Sequence, residues 1–566
     1  GDSSTGGSGE SGLSSPISQT ALLANNGDWA EQEQADILAT DGEYLYYYRP
    51  SNYLLPENSV YIINAQSLTV TSRIKLENND GVTLRVAGNK LALMVRQLAP
   101  DAEEPLYSAG VQRSLSQFEA GQSSARSEAV YPAGGTTTLL VYDISEPDLP
   151  KLERRFEQDG SYAVSAVTDS VAYLATTKSL QDEALKVSDP LLCDLVPVVR
   201  DSNTGYSHAV PAGDIVVSPD NATAIYTVVS AVNLADAAAP VVTKAVLGGE
   251  GLYMSSNNLY LYYSTYAPES STPTTSLIWL ALRNGQIEVR AQRQIEGTLR
   301  NTLSLDEKEN SLCAVTTSMN LQTGQTSNNL SVLDSKLEPI GSMEGLVPGE
   351  VIESARYVRD TAYIVTQNQT QPIFAVDLSD PKNPQIIGQL DLPGMASNLI
   401  PVEENTFAGL ERNTYQTDEG QVVSTGLKMV LYDISSPDDP KQKDTLILPG
   451  TESYSEALGN AKAVLYVPDQ KLIGLPLLAR RSSQADTGSS LLSWGYVLLK
   501  ADAEQGLSLL GHVTHADRVD DSYIINHFQN IERGLYLNDT LYTFSNSKVM
   551  ATQLDHLKQS ATLILD

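Results

Sequence analysis

The sequence predicts an all-β fold: a single large β-propeller of eight or nine four-stranded antiparallel blades, with a few inserted loops and short helices. Three observations predict it. A hairpin recurs along the chain, a second hairpin precedes each copy, and no stretch reads as a long, capped amphipathic helix. The repeat is clearest in LLVYDISEPDLPKLERRF from Leu139, IFAVDLSDPKNPQIIGQL from Ile373 and MVLYDISSPDDPKQKDTL from Met429.

Each copy is a β-rich run ending at Asp143, Asp377 or Asp433, then a Ser/Asp/Pro turn closed by Pro150, Pro384 or Pro440. Asp is suited to such a turn because its carboxylate accepts from backbone N–H groups about two residues on. Pro fixes φ and offers no ladder donor, so one strand ends there and the next begins after it. The preceding hairpins read ILATDGEYLYYY from Ile37, YAVSAVTDSVAYLATT from Tyr162, LYMSSNNLYLYYST from Leu252, SARYVRDTAYIVT from Ser354 and GLYLNDTLYTFS from Gly534. Their expected turns are Asp41-Gly42, Thr168-Asp169, Asn257-Asn258, Arg359-Asp360 and Asn538-Asp539, mostly residues that tolerate positive φ in two-residue loops.

Degenerate copies fill the gaps and give nine units from Ile37 onward, roughly 59 residues each against the roughly 40–50 usual for propeller repeats. The excess sits in three insertions, Gln97–Gly135, Ser179–Gly213 and Arg480–Ser490. The best helix candidate, SAGVQRSLSQFEA from Ser108, lies in the first. Unit eight or nine could supply closing strands in place of a blade, and Ser179–Gly213 could hide a boundary between two smaller propellers. Runs such as IFAVDL and KMVLYDI are apolar on both faces, which suits sheets sandwiched between neighbours. Closure requires Ser547–Leu565 to lie beside, or share a blade with, the unit starting at Ile37, because an open ring leaves edges and faces unsatisfied.

Residues 31–566 form the predicted propeller domain, and residues 1–30 a flexible tether. The opening GDSSTGGSGESGLSSP is too polar to offset chain entropy. The chain begins with Gly1, which leads us to expect a signal peptide, lipoprotein site or membrane anchor upstream. With 37 basic and 69 acidic residues the net charge is −32, which argues against nucleic acid or anionic lipid as a partner. No apolar run is long enough for a transmembrane helix. The two cysteines, Cys193 and Cys313, are too far apart in sequence to suggest a zinc motif. Cys313, in SLCAVTT, reads as a buried thiol, with a Cys193–Cys313 disulfide the alternative.

The hairpins LLVYDISEPDLP, IFAVDLSDPKNP and MVLYDISSPDDP resemble those of secreted bacterial and archaeal proteins that carry a C-terminal β-propeller distantly related to WD repeats. The closing RGLYLNDTLYTFSNSKVMATQLDHLKQ resembles that family's last unit. The resemblance covers about Ile37 to Asp566 and implies export and this fold. It implies no catalytic residue, and the repeat residues Asp143, Asp377 and Asp433 carry structure.

Candidate chemistry is sparse. His512, His515 and Asp517 could hold a metal, although the commoner role of such a segment is a solvated inter-blade loop. Acidic loops at Glu77–Leu84 and Leu98–Pro105 invite Ca2+ but lack the spacing of a known calcium loop. G-x-S-x-G, H-E-x-x-H and Gly-rich phosphate loops are absent, so no catalytic or cofactor-binding residue is assigned. Tyr44, Tyr46, Tyr47, Tyr48, Tyr260, Tyr262 and Tyr263 are expected to pack partly between blades and partly at a surface. These features point to a secreted or cell-surface, monomeric scaffold that binds a protein or glycan without catalysis. The alternatives are a carbohydrate- or peptidoglycan-active enzyme with its site in the central funnel, and a structural envelope adaptor.

Overall fold

The computed structural model describes residues 36–565, except 52–55, 77–80, 98–134, 181–194, 219–222, 250, 256, 266–271, 302–303, 309–310, 321–322, 367–372, 391–398, 404, 418–421, 482–489 and 517–528. The expected tether, both acidic loops, the helix candidate, Cys193 and Asp517 lie wholly or largely outside these residues. Nine sheets follow one another along the chain, each containing a four-stranded antiparallel meander in sequence order, and the second and third carry extra strands from the insertion Ser179–Gly213. Blade one is Leu38–Thr40, Tyr44–Arg49, Asn58–Asn64 and Thr69–Leu76, with Tyr47 opposite both Leu38 and Tyr61, and Tyr61 opposite Arg73. Blade nine is Ile531–Leu537, Thr540–Ser545, Lys548–Gln553 and Lys558–Ile564. Units eight and nine are therefore complete blades. Apart from Leu195, which is α-helical, helical structure among the described residues is confined to 3-10 turns.

Sequence and burial agree strand by strand. Second and third strands are buried on both faces, as in Tyr44–Arg49 and Thr274–Arg283. Fourth strands such as Lys441–Ile447 and Lys558–Ile564 alternate with exposed positions and form the outer rim. This corrects the split expected for the tyrosines: Tyr46, Tyr47, Tyr48, Tyr260, Tyr262 and Tyr263 are all buried, because both faces of a second strand lie between blades.

The Asp of the repeat caps its turn as the composition requires. Asp143 accepts from the Ser145 N–H at 2.8 Å, Asp377 from Ser379 at 2.8 Å and Asp433 from Ser435 at 2.9 Å. Asn64, Asn233, Asp334 and Asp502 do the same in weaker copies of the repeat. The strand after each Pro begins at Lys151, Gln385 or Lys441, one residue beyond Pro150, Pro384 and Pro440. In the first hairpins, Asn538 and Asp539 take positive φ together. In blade three the pair is Asp169-Ser170, one residue later than expected.

These third-to-fourth-strand turns also join the blades. Each reaches sideways onto the blade before it. Ser72 Oγ donates to the Pro147 carbonyl at 2.5 Å, Arg154 Nη2 to that of Ala239 at 2.8 Å, and Gly285 N–H to the Tyr173 hydroxyl at 2.9 Å. Arg293 pairs with Glu338, and Leu507 N–H donates to Asp444 at 2.7 Å. At two seams the backbones approach so closely that only Gly fits: a Cβ on Gly341 would collide with the Pro381 carbonyl, and one on Gly388 with that of Asp438.

The insertion Ser179–Gly213 is not a domain boundary. It leaves blade three, adds Val198–Asp201 and Tyr206–Ala209 to the outer edge of blade two, and returns as Ile215–Val217 in parallel with Val242–Leu247. Arg154 and Asp201 fix it through an almost fully buried ion pair at 2.7 Å.

Gly388→Ala is expected to cost about 1–3 kcal/mol by forcing the seam between blades six and seven apart. A lower urea midpoint with an unchanged slope would show this, and a wild-type midpoint would refute the close approach.

Candidate functional site

The order of strands within a blade puts first-to-second and third-to-fourth turns at one end, and second-to-third and fourth-to-first connections at the other. At the first end the connections are short and capped. All three insertions found in the sequence are second-to-third connections. They join Lys90–Gln97 to Thr136–Asp143, Val171–Ser179 to Ile225–Asn233, and Leu472–Arg481 to Ser490–Asp502. They therefore all leave from one face of the ring.

The ring closes at the seam between blades nine and one. Among the described residues no strand crosses between blades nine and one; each keeps its own four. Leu38, Leu45, Tyr47, Tyr61 and Ile63 pack directly on Leu535, Tyr542, Phe544, Val549 and Ala551. The Tyr47 and Phe544 rings lie 5.1 Å apart. At the outer side the Tyr542 hydroxyl donates to the Ala65 carbonyl at 2.9 Å, in the third-to-fourth turn of blade one.

The inner side is polar. Asp36 forms a backbone bridge with Leu84 of blade two. Its carboxylate receives Arg533 Nε at 2.9 Å and Nη2 at 3.1 Å, a two-pronged pair buried from solvent. Arg533 Nη1 also donates to Glu456 at 3.2 Å and to the Glu532 carbonyl at 2.8 Å. Glu456 opens a 3-10 turn between blades seven and eight, capped by Ser455, so one guanidinium ties three separate parts of the chain together. Burial works to raise the Asp36 pKa, but the neighbouring Arg533 outweighs it and holds the carboxyl below its ordinary value. Burial likewise opposes the charge on Arg533, and the carboxylates of Asp36 and Glu456 reverse that and raise it.

Glu532 is the extra residue of a bulge: Ile531 pairs with Ser545 and Arg533 with Phe544. A bulge turns an extra side chain out of the alternation. The Glu532 carboxylate accepts from the Tyr47 hydroxyl and from Asn546 Nδ2, each at 3.3 Å. Burial first, then the negative charge of Glu456, pushes its pKa up to about 7, although Arg533 acts in the other direction. The seam thus holds a carboxyl able to exchange a proton near neutrality. Nothing in the repeat pattern marked Asp36, Glu456, Glu532 or Arg533; the only signal was an Arg and three acidic residues outside the repeated positions.

The histidines are drawn apart. His512 is exposed on the outer strand of blade eight. His515 is buried against blade nine, its Nδ1 2.7 Å from the Ser545 hydroxyl and its Nε2 2.9 Å from that of Thr543. Burial, helped by the charge of Lys548, lowers its pKa to about 3, so it is a neutral packing group with both nitrogens engaged. Cys313 is a buried free thiol whose pKa burial pushes up to about 12. Among the described residues no three His, Cys, Asp or Glu side chains converge as metal ligands.

The architecture defines a nine-bladed β-propeller. The chain belongs to the Beta propeller domain family, which matches residues 28–557. It is 38% identical over 191 residues to an uncharacterized protein of Archaeoglobus fulgidus, covering 34% of this chain and 28% of that protein. It is 30% identical over 257 residues to an uncharacterized protein of Methanocaldococcus jannaschii, covering 45% and 35%. The matched part spans about a third of the length of these relatives. Among solved structures, the crystal structure of the eukaryotic initiation factor aligns over 84% of this chain and 88% of that one, at 10% identity and a TM-score of 0.34; a likeness of that size extends nothing to this chain.

Asp36→Asn should destabilise the ring by about 3–5 kcal/mol, because it strips a buried guanidinium of its partner. Arg533→Met added to it should recover part of that loss; equal loss in both variants would show that the pair is not coupled. A second test uses pH. A carboxyl whose pKa is raised on folding favours the folded state most below its unfolded value of 4.5, and that advantage fades as pH rises toward 7. Melting temperature should therefore carry a downward component between these limits that Glu532→Gln removes. A profile unchanged by the substitution would refute it.

Proposed function

We propose that this chain is an extracellular or surface-held scaffold whose loop-bearing face binds a protein or a surface glycan. One observation carries the reading: the three long insertions all leave from one face, while the other face is closed by short capped turns. Loops carried by a rigid framework are where recognition usually lies, since they can vary without disturbing the core. The net charge of −32 favours partners other than polyanions. Replacing residues 98–134 by Asn-Gly should leave the melting temperature near wild type and abolish capture on a glycan array or an extracellular-protein panel. No signal above background from the intact chain on either would refute the reading.

A second reading, hydrolysis of a surface polysaccharide or peptidoglycan in the central funnel, draws on the Glu532 carboxyl near neutrality beside Glu456. It requires Glu532→Gln to abolish release of reducing sugar from a polysaccharide panel, and a wild-type chain inert on that panel ends it.

A further inference from the structure

We propose that the outer edges of blades seven and nine each take an added β-strand from another protein. The chain itself shows what such an edge can hold. In blade two the strand Val198–Asp201 pairs antiparallel along the outer side of Lys151–Asp159, with Val199 opposite Gln158, Arg200 opposite Glu157 and Asp201 opposite Phe156. Blade three gains Ile215–Val217 in parallel with Val242–Leu247. Blades seven and nine end at Lys441–Ile447 and Lys558–Ile564, and among the described residues no strand lies beyond either.

A bulge near the third-to-fourth turn puts these rims in a common register. Beside it Val141 pairs with Arg154 in blade two, Leu431 with Asp444 in blade seven and Ala551 with Ala561 in blade nine. Three residues further on stand Glu157, Ile447 and Ile564. The same count from Ser72 in blade one and Gly341 in blade five reaches Lys75 and Glu344, both exposed. From Gly388 in blade six it reaches Asp391 in the sequence. A charge on an open edge guards it, because strand addition would cover the charge. Blade two admits its strand where Glu157 pairs with Arg155 and faces Arg200 across the ladder.

Blades seven and nine carry Ile at the guarded place, each within the same tetrapeptide, Thr445–Leu448 and Thr562–Leu565. Ile447 is 53% exposed and Ile564 56%. The next residues, Leu448 and Leu565, are buried in the seam cores, which anchors each edge with its Ile outward. The occupant that matches is an extended segment with an aliphatic residue where blade two's added strand has Arg200. Lys443 and Lys558 are exposed toward the turn end of these edges. In the antiparallel sense acidic residues should therefore follow the aliphatic one, as Asp201 follows Arg200 in blade two. The net charge of −32 sets two copies of the chain against each other and favours a different protein as the source. The inference is independent of the loop-bearing face.

A phage-displayed library of short linear peptides, panned on the whole chain, should enrich sequences with alternating aliphatic residues followed by Asp or Glu. An enriched peptide, made synthetically, should slow hydrogen exchange over 445–447 and 562–564 on the order of tenfold. Ile447→Lys combined with Ile564→Lys gives both edges the kind of charge that blade one has at Lys75. That variant should keep the wild-type melting temperature, since both positions are exposed, and should lose the peptide and the protection. No enrichment, or peptides held equally by the double variant, overturns the proposal. Amides of both edges that already exchange slowly in the free chain also overturn it, since the chain's own residues or a second copy then fill the place.

Discussion

The sideways reach of the third-to-fourth turn holds this ring together. A blade alone is a four-stranded sheet with two apolar faces, and it becomes stable only when both are covered. Apolar packing is poorly directional, so it covers a face without fixing how far one sheet slides over the next. The capped turn supplies that register. It projects backbone carbonyls and a few side chains onto the preceding blade, at positions where Gly341 and Gly388 leave room for main chain alone. The Asp that shapes the turn thus contributes twice, once to its own hairpin and once to the fit with its neighbour.

The same device explains how the chain closes without sharing a blade between its ends. The Tyr542 hydroxyl meets the Ala65 carbonyl at the junction of blades nine and one much as Ser72 meets Pro147 at the junction of blades one and two. The closing seam differs from the others at its inner side, where Arg533 gathers Asp36 and Glu456. Buried ion pairs specify geometry more than they add net stability, because desolvation offsets much of the attraction. Here the specified geometry is the meeting of blades nine and one.

The fold was legible because it is written repeatedly. Asp143, Asp377 and Asp433 stand at the same place in three near-identical runs, and chance does not space turn residues and prolines that way. Positive-φ pairs such as Asn538-Asp539 were legible for the same reason: local backbone chemistry dictates them. What depends on distant parts of the chain was not legible. The bulge before the turn recurs in blades one, two, five, six, seven and nine, between Ile62 and Ile63, Val141 and Tyr142, Val332 and Leu333, Ala375 and Val376, Leu431 and Tyr432, and Ala551 and Thr552. No residue type marks it, because it follows from fitting a twisted rim to the sheet. His512 and His515 looked like a pair only because they are close in sequence; the chain turns between them from an exposed rim to a buried seam. Arg533 and Asp36, almost the whole chain apart, become partners only once nine blades have been counted round.

The excursion between blades three and two has a consequence for the order of assembly. Blade two's first four strands are complete at Asp159, yet its outer edge receives Val198–Asp201 only after the chain has already made two strands of blade three. The chain then returns to finish blade three with Ile225–Asn233 and Val242–Leu247. As a nascent polypeptide emerges, these two sheets cannot mature one after the other. They must wait for each other, and together form a single folding unit, Gly81 to Leu247, several times as long as any other blade. The remaining blades, each uninterrupted, can add to that nucleus in the order in which they are synthesised.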